Sequence, residues 1–286
     1  MKAIICRAFG PIGDLELAEV DSPEPGPGEV VIRAEAIGVN YPDGLLVQGL
    51  YQLKPPTPFV PGMEVVGEIA SVGEKVTRFR QGDRVAAVTS LGAYAEMAKA
   101  HQSTVMPVPS GADAGEITAL MCGYGTSHHA LKQRAALKAG ETLAVTGAAG
   151  LTGLAAVQIG KAMGARVIAI ASSEEKRNVA LDAGADIALG YENLKDTLKE
   201  ATGGEGADVV FDPVGGDVFD ACSRAMAWGG RLLVIGFASG RIPQFPVNLA
   251  LVKGYSVVGV FWGAFTGKEP AVFAENMREL LGWYQA

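Results

Sequence analysis

The chain has 286 residues with 31 acidic against 24 basic, a formal charge of -7, and no Lys/Arg block that would neutralise a phosphate backbone, which argues against nucleic acid as a partner. Hydrophobic residues make up 49%, glycine numbers 38 and aromatics are 7%, the balance of an ordered α/β enzyme of about two domains. Cys6, Cys122 and Cys222 lie far apart with no C-x-x-C pair, so neither a disulfide framework nor a structural zinc lobe is expected. No apolar run approaches a membrane span, and MKAIICRAFG does not read as a signal peptide; these features predict a cytoplasmic protein that does not use a membrane.

Up to about Pro109, short β-rich runs (EVVIRAEAIGV, MEVVGEIASVG, DRVAAVTS) alternate with the turn segments PEPGPG, PPTPFVPG and QGD. The texture changes at Asp113, which with Glu116 is spaced as a capping box and opens helical content that Gly140 is expected to end. Beyond Gly140 strand-like runs (TLAVTG, RVIAIA, ADIAL, ADVVFD, RLLVIG, SVVGVFW) alternate with amphipathic segments, the pattern of a parallel, doubly wound sheet. The predicted architecture is α/β: a mostly β domain over residues 1–118, a dinucleotide-binding domain over 119–263, and a C-terminal segment over 264–286.

TLAVTGAAGLTGLAAVQIGKAMGARVIAIASS supplies a strand, a glycine turn, a helix and a second strand, the context a dinucleotide fingerprint requires. Gly150 and Gly153 are the glycines that pyrophosphate approach and helix packing call for, and the site takes in Gly150, Leu151, Thr152 and Gly153. Ala148 stands where the first glycine of G-x-G-x-x-G would be. The second strand ends in Ala171, with no carboxylate for ribose hydroxyls. Ser172, Ser173 and Lys176 follow as donors and charge for a 2′-phosphate, which favours NADPH over NADH. Ser172 and Glu175 are also spaced as a capping box. Later strand ends add Asp212 and Pro213 in FDPVGG, Phe237 and Ser239 in VIGFASG, and Phe261 and Gly263 in GVFWGA.

PGPGEVVIRAEAIGVNYPDGLLVQGLY, PFVPGMEVVGEIASVGEKVTRFRQGDRV, the glycine turn, DVVFDPVGG and RLLVIGFASG together resemble the zinc-independent quinone oxidoreductases, zeta-crystallin-like, of the medium-chain dehydrogenase/reductase superfamily. The resemblance covers the whole chain. It implies a GroES-like catalytic domain, a Rossmann NADPH domain, an active cleft between them and a homodimer through the Rossmann domains. Zinc members hold metal with Cys, His and Cys. Asn40 and Met63 stand in the first two places and Cys122 in the third, so no metal is expected and Cys122 reads as a buried small hydrophobe.

By the same resemblance Asn40, Asp43 and Tyr51 line the catalytic cleft, with Asn40 toward the nicotinamide and Tyr51 toward the acceptor oxygen. Leu45 replaces a second aromatic hydroxyl, leaving the proton donor open between Tyr51 and solvent. Tyr191 corresponds to a tyrosine against the 2′-phosphate and Thr126 to a cofactor-contacting threonine. The expected activity is hydride transfer from NADPH to a quinone or similar small conjugated carbonyl. The alternatives are an enoyl reductase for α,β-unsaturated ketones, aldehydes or thioesters, and a non-catalytic NADPH-binding protein. Because RELLGWYQA stops inside an amphipathic helix, a further C-terminal segment is also expected.

Overall fold

Alternating apolar residues in the first third of the chain favour antiparallel strands, since every second side chain must find a core. The computed structural model describes residues 1–286 and divides into two compact units, Met1–Cys122 with Gly263–Ala286, and Gly123–Trp262. In the first unit β1 (Lys2–Ile5) and β2 (Glu16–Glu19) pair as an antiparallel ribbon. β3 (Glu29–Ile37) leads through α1 (Tyr41–Val47) to β4 (Glu64–Val72), β5 (Arg84–Val88), β6 (Met97–His101) and β7 (Val105–Pro107). These form a five-stranded antiparallel sheet in the order β6-β3-β4-β5-β7, packed on Val30, Ile32, Val65, Ile69, Val85 and Ala98.

α2 (Ala114–Ala119) starts as its capping signal requires, with the Asp113 carboxylate accepting the Glu116 N–H at 3.0 Å. A π turn over Leu120–Tyr124 follows and carries the chain out of the first unit. α3 (Gly125–His129) and a second π turn, Ala130–Arg134, open the second unit. The helical path stops there rather than at Gly140, because Ala136 takes φ 47° and breaks the ladder.

The second unit then runs β8 (Thr142–Thr146), α4 (Leu151–Ala162), β9 (Arg166–Ile170), α5 (Glu174–Asp182), β10 (Ile187–Leu189), α6 (Leu194–Ala201), β11 (Ala207–Asp212), α7 (Gly216–Ser223), β12 (Met226–Val234), α8 (Asn248–Lys253) and β13 (Ser256–Gly259). All six strands are parallel, in the order β10-β9-β8-β11-β12-β13. The order reverses direction between β8 and β11, the switch point at which open α/β sheets bind ligands. Ala144, Ile168, Val210, Phe219 and Leu232 fill one face of its core.

α9 (Trp262–Lys268) and α10 (Pro270–Gln285) end the chain. Within the first unit the Tyr284 hydroxyl donates to Glu116 Oε2 at 2.5 Å, joining α10 to α2. No helix is long and apolar enough to cross a membrane.

Candidate active site

In the first unit, NYPD turns the chain from β3 into α1, with Pro42 in the first helical turn, where its missing N–H costs nothing. Asp43 reaches back, its Oδ2 accepting the Asn40 backbone N–H at 2.8 Å and the Tyr94 hydroxyl at 2.9 Å. Its Oδ1 is buried without a partner. Burial pushes the Asp43 carboxyl above the usual range, against those two hydrogen bonds, which lower it. Burial and the neighbouring Asp43 raise the Tyr94 hydroxyl, so it stays a donor.

The Asn40 amide is half-buried and gives Nδ2–H to Glu64 Oε1 at 2.6 Å, while Glu64 Oε2 accepts the Cys122 backbone N–H at 2.9 Å. Glu64 is 2% exposed, and burial pushes its carboxyl up to about 7 despite the two donors. Tyr51 is half-buried, its hydroxyl raised by burial, then by Cys122 and Asp43. The structure thus brings Asn40 and Asp43 into one hydrogen-bonded network, with Tyr51 in the electrostatic field of Asp43. Cys122 is half-buried rather than buried, because the π turn that carries it lies partly at the surface.

In the second unit the glycine turn after β8 differs from the expectation in one respect. Gly147, at φ 57°, makes the turn, and Ala148 is fully buried with its N–H on Ile170 O at 3.2 Å. Gly153 is demanded by packing, since a Cβ there would lie 2.2 Å from Gly147 O. Gly150 is not: a Cβ would meet only Gly147 O at 3.4 Å, and its backbone is ordinary at φ -80°. Gly150 caps the twelve-residue α4 with no side-chain hydrogen bond, so the first-turn N–H groups face an exposed surface that a side chain would narrow. Leu151 is 43% exposed and packs where a Gly123 Cβ would fall, while the Ser127 hydroxyl donates to Thr152 O at 2.7 Å and holds α3 against this helix start. Thr126, the preceding residue, is half-buried.

At the end of β9 Ala171 is buried, and Ser172, Ser173 and Lys176 are exposed. The cap of α5 is Ser173, not Ser172: its Oγ accepts the Lys176 N–H at 3.3 Å, because the chain leaves the strand one residue later than the Ser172/Glu175 spacing implies. Tyr191 is half-buried, and burial raises its hydroxyl against the nearby Gly147 backbone, which lowers it, so the ring lies beside the glycine turn. Phe237 and Ser239 pack over Gly215 and Gly216, whose absent Cβ atoms leave room for them. Phe261 is exposed after β13, and Gly263 is exposed in the first turn of α9. The uncapped amides at α4, with the Ser172 and Ser173 hydroxyls directly after β9 and Lys176 following Glu174 and Glu175 in the first turn of α5, fit a dinucleotide carrying a 2′-phosphate.

Sequence reading passed over Glu64, Tyr94, Gly147 and Arg177. Glu64 leaves a weak trace, an acid that opens the apolar run of β4, a strand that also carries the exposed Glu68. Gly147 is visible once the turn is read as G-x-x-G-x-x-G. Arg177, whose guanidinium reaches Ala171 O at 3.4 Å, adjoins Lys176. Tyr94 leaves none, since its contact spans 51 residues. Nowhere do three His, Cys, Asp or Glu side chains converge in a way that would hold a metal, and the Asn40 amide is engaged by Glu64.

An antiparallel sheet domain joined in one chain to a parallel nucleotide sheet defines an oxidoreductase of the medium-chain dehydrogenase/reductase class. Residues 26–110 match the alcohol dehydrogenase GroES-like domain and residues 152–282 the zinc-binding dehydrogenase domain. The chain is 40% identical over 289 residues to a quinone oxidoreductase-like protein 2 homolog of Nematostella vectensis, covering 99% of this chain and 78% of that one. It is 38% identical over 258 residues to a quinone oxidoreductase of Pseudomonas aeruginosa, covering 88% and 78%. Among solved structures, a Pseudomonas syringae quinone oxidoreductase superposes with TM-score 0.94 at 31% identity over 99% of this chain and 88% of that one. The Escherichia coli quinone oxidoreductase complexed with NADPH gives 0.90 at 26% identity over 99% and 86%. The chain belongs to the quinone oxidoreductase family of that superfamily.

Proposed function

We propose that this protein is a zinc-free reductase that transfers hydride from NADPH to a quinone or a similar small conjugated carbonyl. The observation that carries the reading is the carboxyl end of β9, where Ala171 replaces a ribose-binding carboxylate and Ser172, Ser173 and Lys176 stand exposed. Relatives named quinone oxidoreductase and neighbouring structures complexed with NADPH support it.

When bound, NADPH supplies the hydride. The first-turn N–H groups of α4 at Leu151, Thr152 and Gly153 would hold the pyrophosphate, with Gly150, whose own N–H is given to Gly147 O, leaving room for its approach, and Ser172, Ser173, Lys176 and Tyr191 would hold the 2′-phosphate. Thr126, Phe237, Ser239, Phe261 and Gly263 complete the cofactor contacts. Asn40 orients the nicotinamide end, Asp43 holds Asn40 and Tyr94 in place, and the Tyr51 hydroxyl, raised by burial, donates a hydrogen bond to the acceptor oxygen. A quinone accepts hydride readily once positioned, so orientation supplies most of the rate and solvent supplies the proton.

Asn40 and Met63 at two of the three ligand positions, with Asn40 committed to Glu64, support independence from zinc. About one zinc per chain, with activity lost to a chelator, would overturn this. That Cys6, Cys122 and Cys222 form no disulfide supports a cytoplasmic location. The second unit also offers a homodimer surface. β13 is an edge strand, α8 has no buried residue, and Trp228, Leu251 and Val252 are 80%, 82% and 72% exposed. Light scattering should give twice the chain mass, falling to one chain on Leu251→Asp.

Loss of NADPH absorbance across quinones, enals and enoyl thioesters tests the activity. Faster turnover of quinones is expected. Faster turnover of enals or thioesters would move the assignment to an enoyl reductase, and tight NADPH binding without turnover would make the protein a non-catalytic binder. Tyr51→Phe should alter acceptor kinetics and leave NADPH affinity almost unchanged.

A further inference from the structure

Glu64 is a buried carboxylate to which the proposed reaction gives no task. A buried ionised group costs folding free energy, and an apolar residue in β4 would serve the sheet better. Both carboxylate oxygens are nevertheless provided for, Oε1 by Asn40 Nδ2–H at 2.6 Å and Oε2 by the Cys122 N–H at 2.9 Å. The chain also clears space for it: a Cβ on Gly38 would lie 1.8 Å from Glu64 Oε1 and 2.5 Å from its Cδ. The residue directly after β3 is thus a glycine, where any side chain would expel the carboxylate.

The geometry points to Glu64 as a positioning residue that sets the polarity of the Asn40 amide, drawing Nδ2–H toward itself and turning Oδ1 away. A carboxylate has only acceptors, so it admits one of the two amide orientations, and the second anchor on Cys122 keeps the carboxylate from turning to follow the amide. Asn40 thereby serves the reaction as an acceptor on the side away from Glu64. This rests on the reading of Asn40 as part of the reductase site.

The arrangement distinguishes Glu64 from its isostere. In Glu64→Gln the Cys122 N–H must keep the oxygen, so the new amide nitrogen faces Asn40 and the Asn40 amide reverses. Adding Asn40→Asp restores an acceptor on both sides of that position, with the amide nitrogen introduced by Glu64→Gln as the donor between the two side chains. Asn40→Asp alone sets two carboxylates against each other.

The test is a double-mutant cycle on the whole protein at pH 8, above the value near 7 of Glu64, with NADPH and 1,4-benzoquinone. Glu64→Gln should lower kcat at least tenfold with KM for NADPH within about twofold, and Asn40→Asp/Glu64→Gln should exceed each single variant at least tenfold. Parental kcat in Glu64→Gln, or a double variant no better than the singles, overturns the inference. If Glu64→Gln does not fold, the double variant against Asn40→Asp decides by the same criterion. A second readout needs no turnover. In protein labelled with 15N at asparagine side chains, the Asn40 signal, identified by its loss in Asn40→Asp, should lie downfield and move upfield in Glu64→Gln. An unmoved signal overturns the inference. A parent that reduces no quinone while this signal moves removes the proposed activity and leaves the clamp standing.

Discussion

Thr146 Oγ1 donates to Asp212 Oδ1 at 2.5 Å, and this contact ties the carboxyl end of β8 to that of β11 where the strand order reverses. The same carboxylate accepts the N–H of Val214 at 3.0 Å and of Gly215 at 3.1 Å, fixing the loop on which Phe237 and Ser239 pack. Asp212 is 1% exposed, and burial raises its carboxyl against the three donors, which lower it. Asp212→Ala strands those donors and should cost about 2 to 4 kcal/mol of stability. Denaturant unfolding measures it, and a loss well under 1 kcal/mol would show that water replaces the carboxylate.

Gly150 and Gly153 should separate by phenotype. Gly153→Ala forces a Cβ against Gly147 O and should destabilise the fold by about 1 to 3 kcal/mol. Gly150→Ala meets nothing closer than 3.4 Å and should leave the melting temperature nearly unchanged while weakening NADPH, because the added methyl narrows the helix start. Thermal melts with a fluorescence titration of NADPH read both. Equal effects of the two substitutions on folding would contradict the assignment.

Lys176 is exposed beside Ser173. Lys176→Ala should weaken NADPH roughly tenfold to a hundredfold and leave NADH nearly unchanged, since only the 2′-phosphate separates the two. Titration of both nucleotides decides it. A parallel loss for NADH would place the lysine elsewhere on the cofactor, and unchanged NADPH affinity would shift the phosphate contact to Arg177.

Glu64 gives stability a pH dependence of known sign. Its carboxyl stands at about 7 in the folded chain against 4.5 when exposed, so the folded state holds the extra proton. The stabilisation is complete below pH 4.5 and is lost as pH rises through about 7. Asp43, also raised, acts in the same direction and is present in both proteins. The stability of Glu64→Gln relative to the parent should therefore increase between about pH 5 and 8, by up to about 3 kcal/mol. A difference independent of pH would mean that Glu64 titrates normally.

The class of structure and the nature of the cofactor turn were legible in the amino-acid order alone. Strand, glycine turn, helix and strand are contiguous, so the parallel sheet and the helix start at Gly150 were legible from local order and from the kinship of the motifs. The Asp113 cap and the reach of Asp43 back to Asn40 span three residues and were open to the same kind of reading. The tertiary structure decided the rest. Glu64 meets Asn40 across 24 residues and Cys122 across 58, and Tyr94 meets Asp43 across 51. Such pairs exist only once β3, β4 and the segment before β6 have settled into register. The path the chain takes on leaving β8 and β9 also fixed which glycine makes the turn and which serine caps α5: Gly147 takes φ 57° just past β8, and the Ser173 Oγ meets the Lys176 N–H.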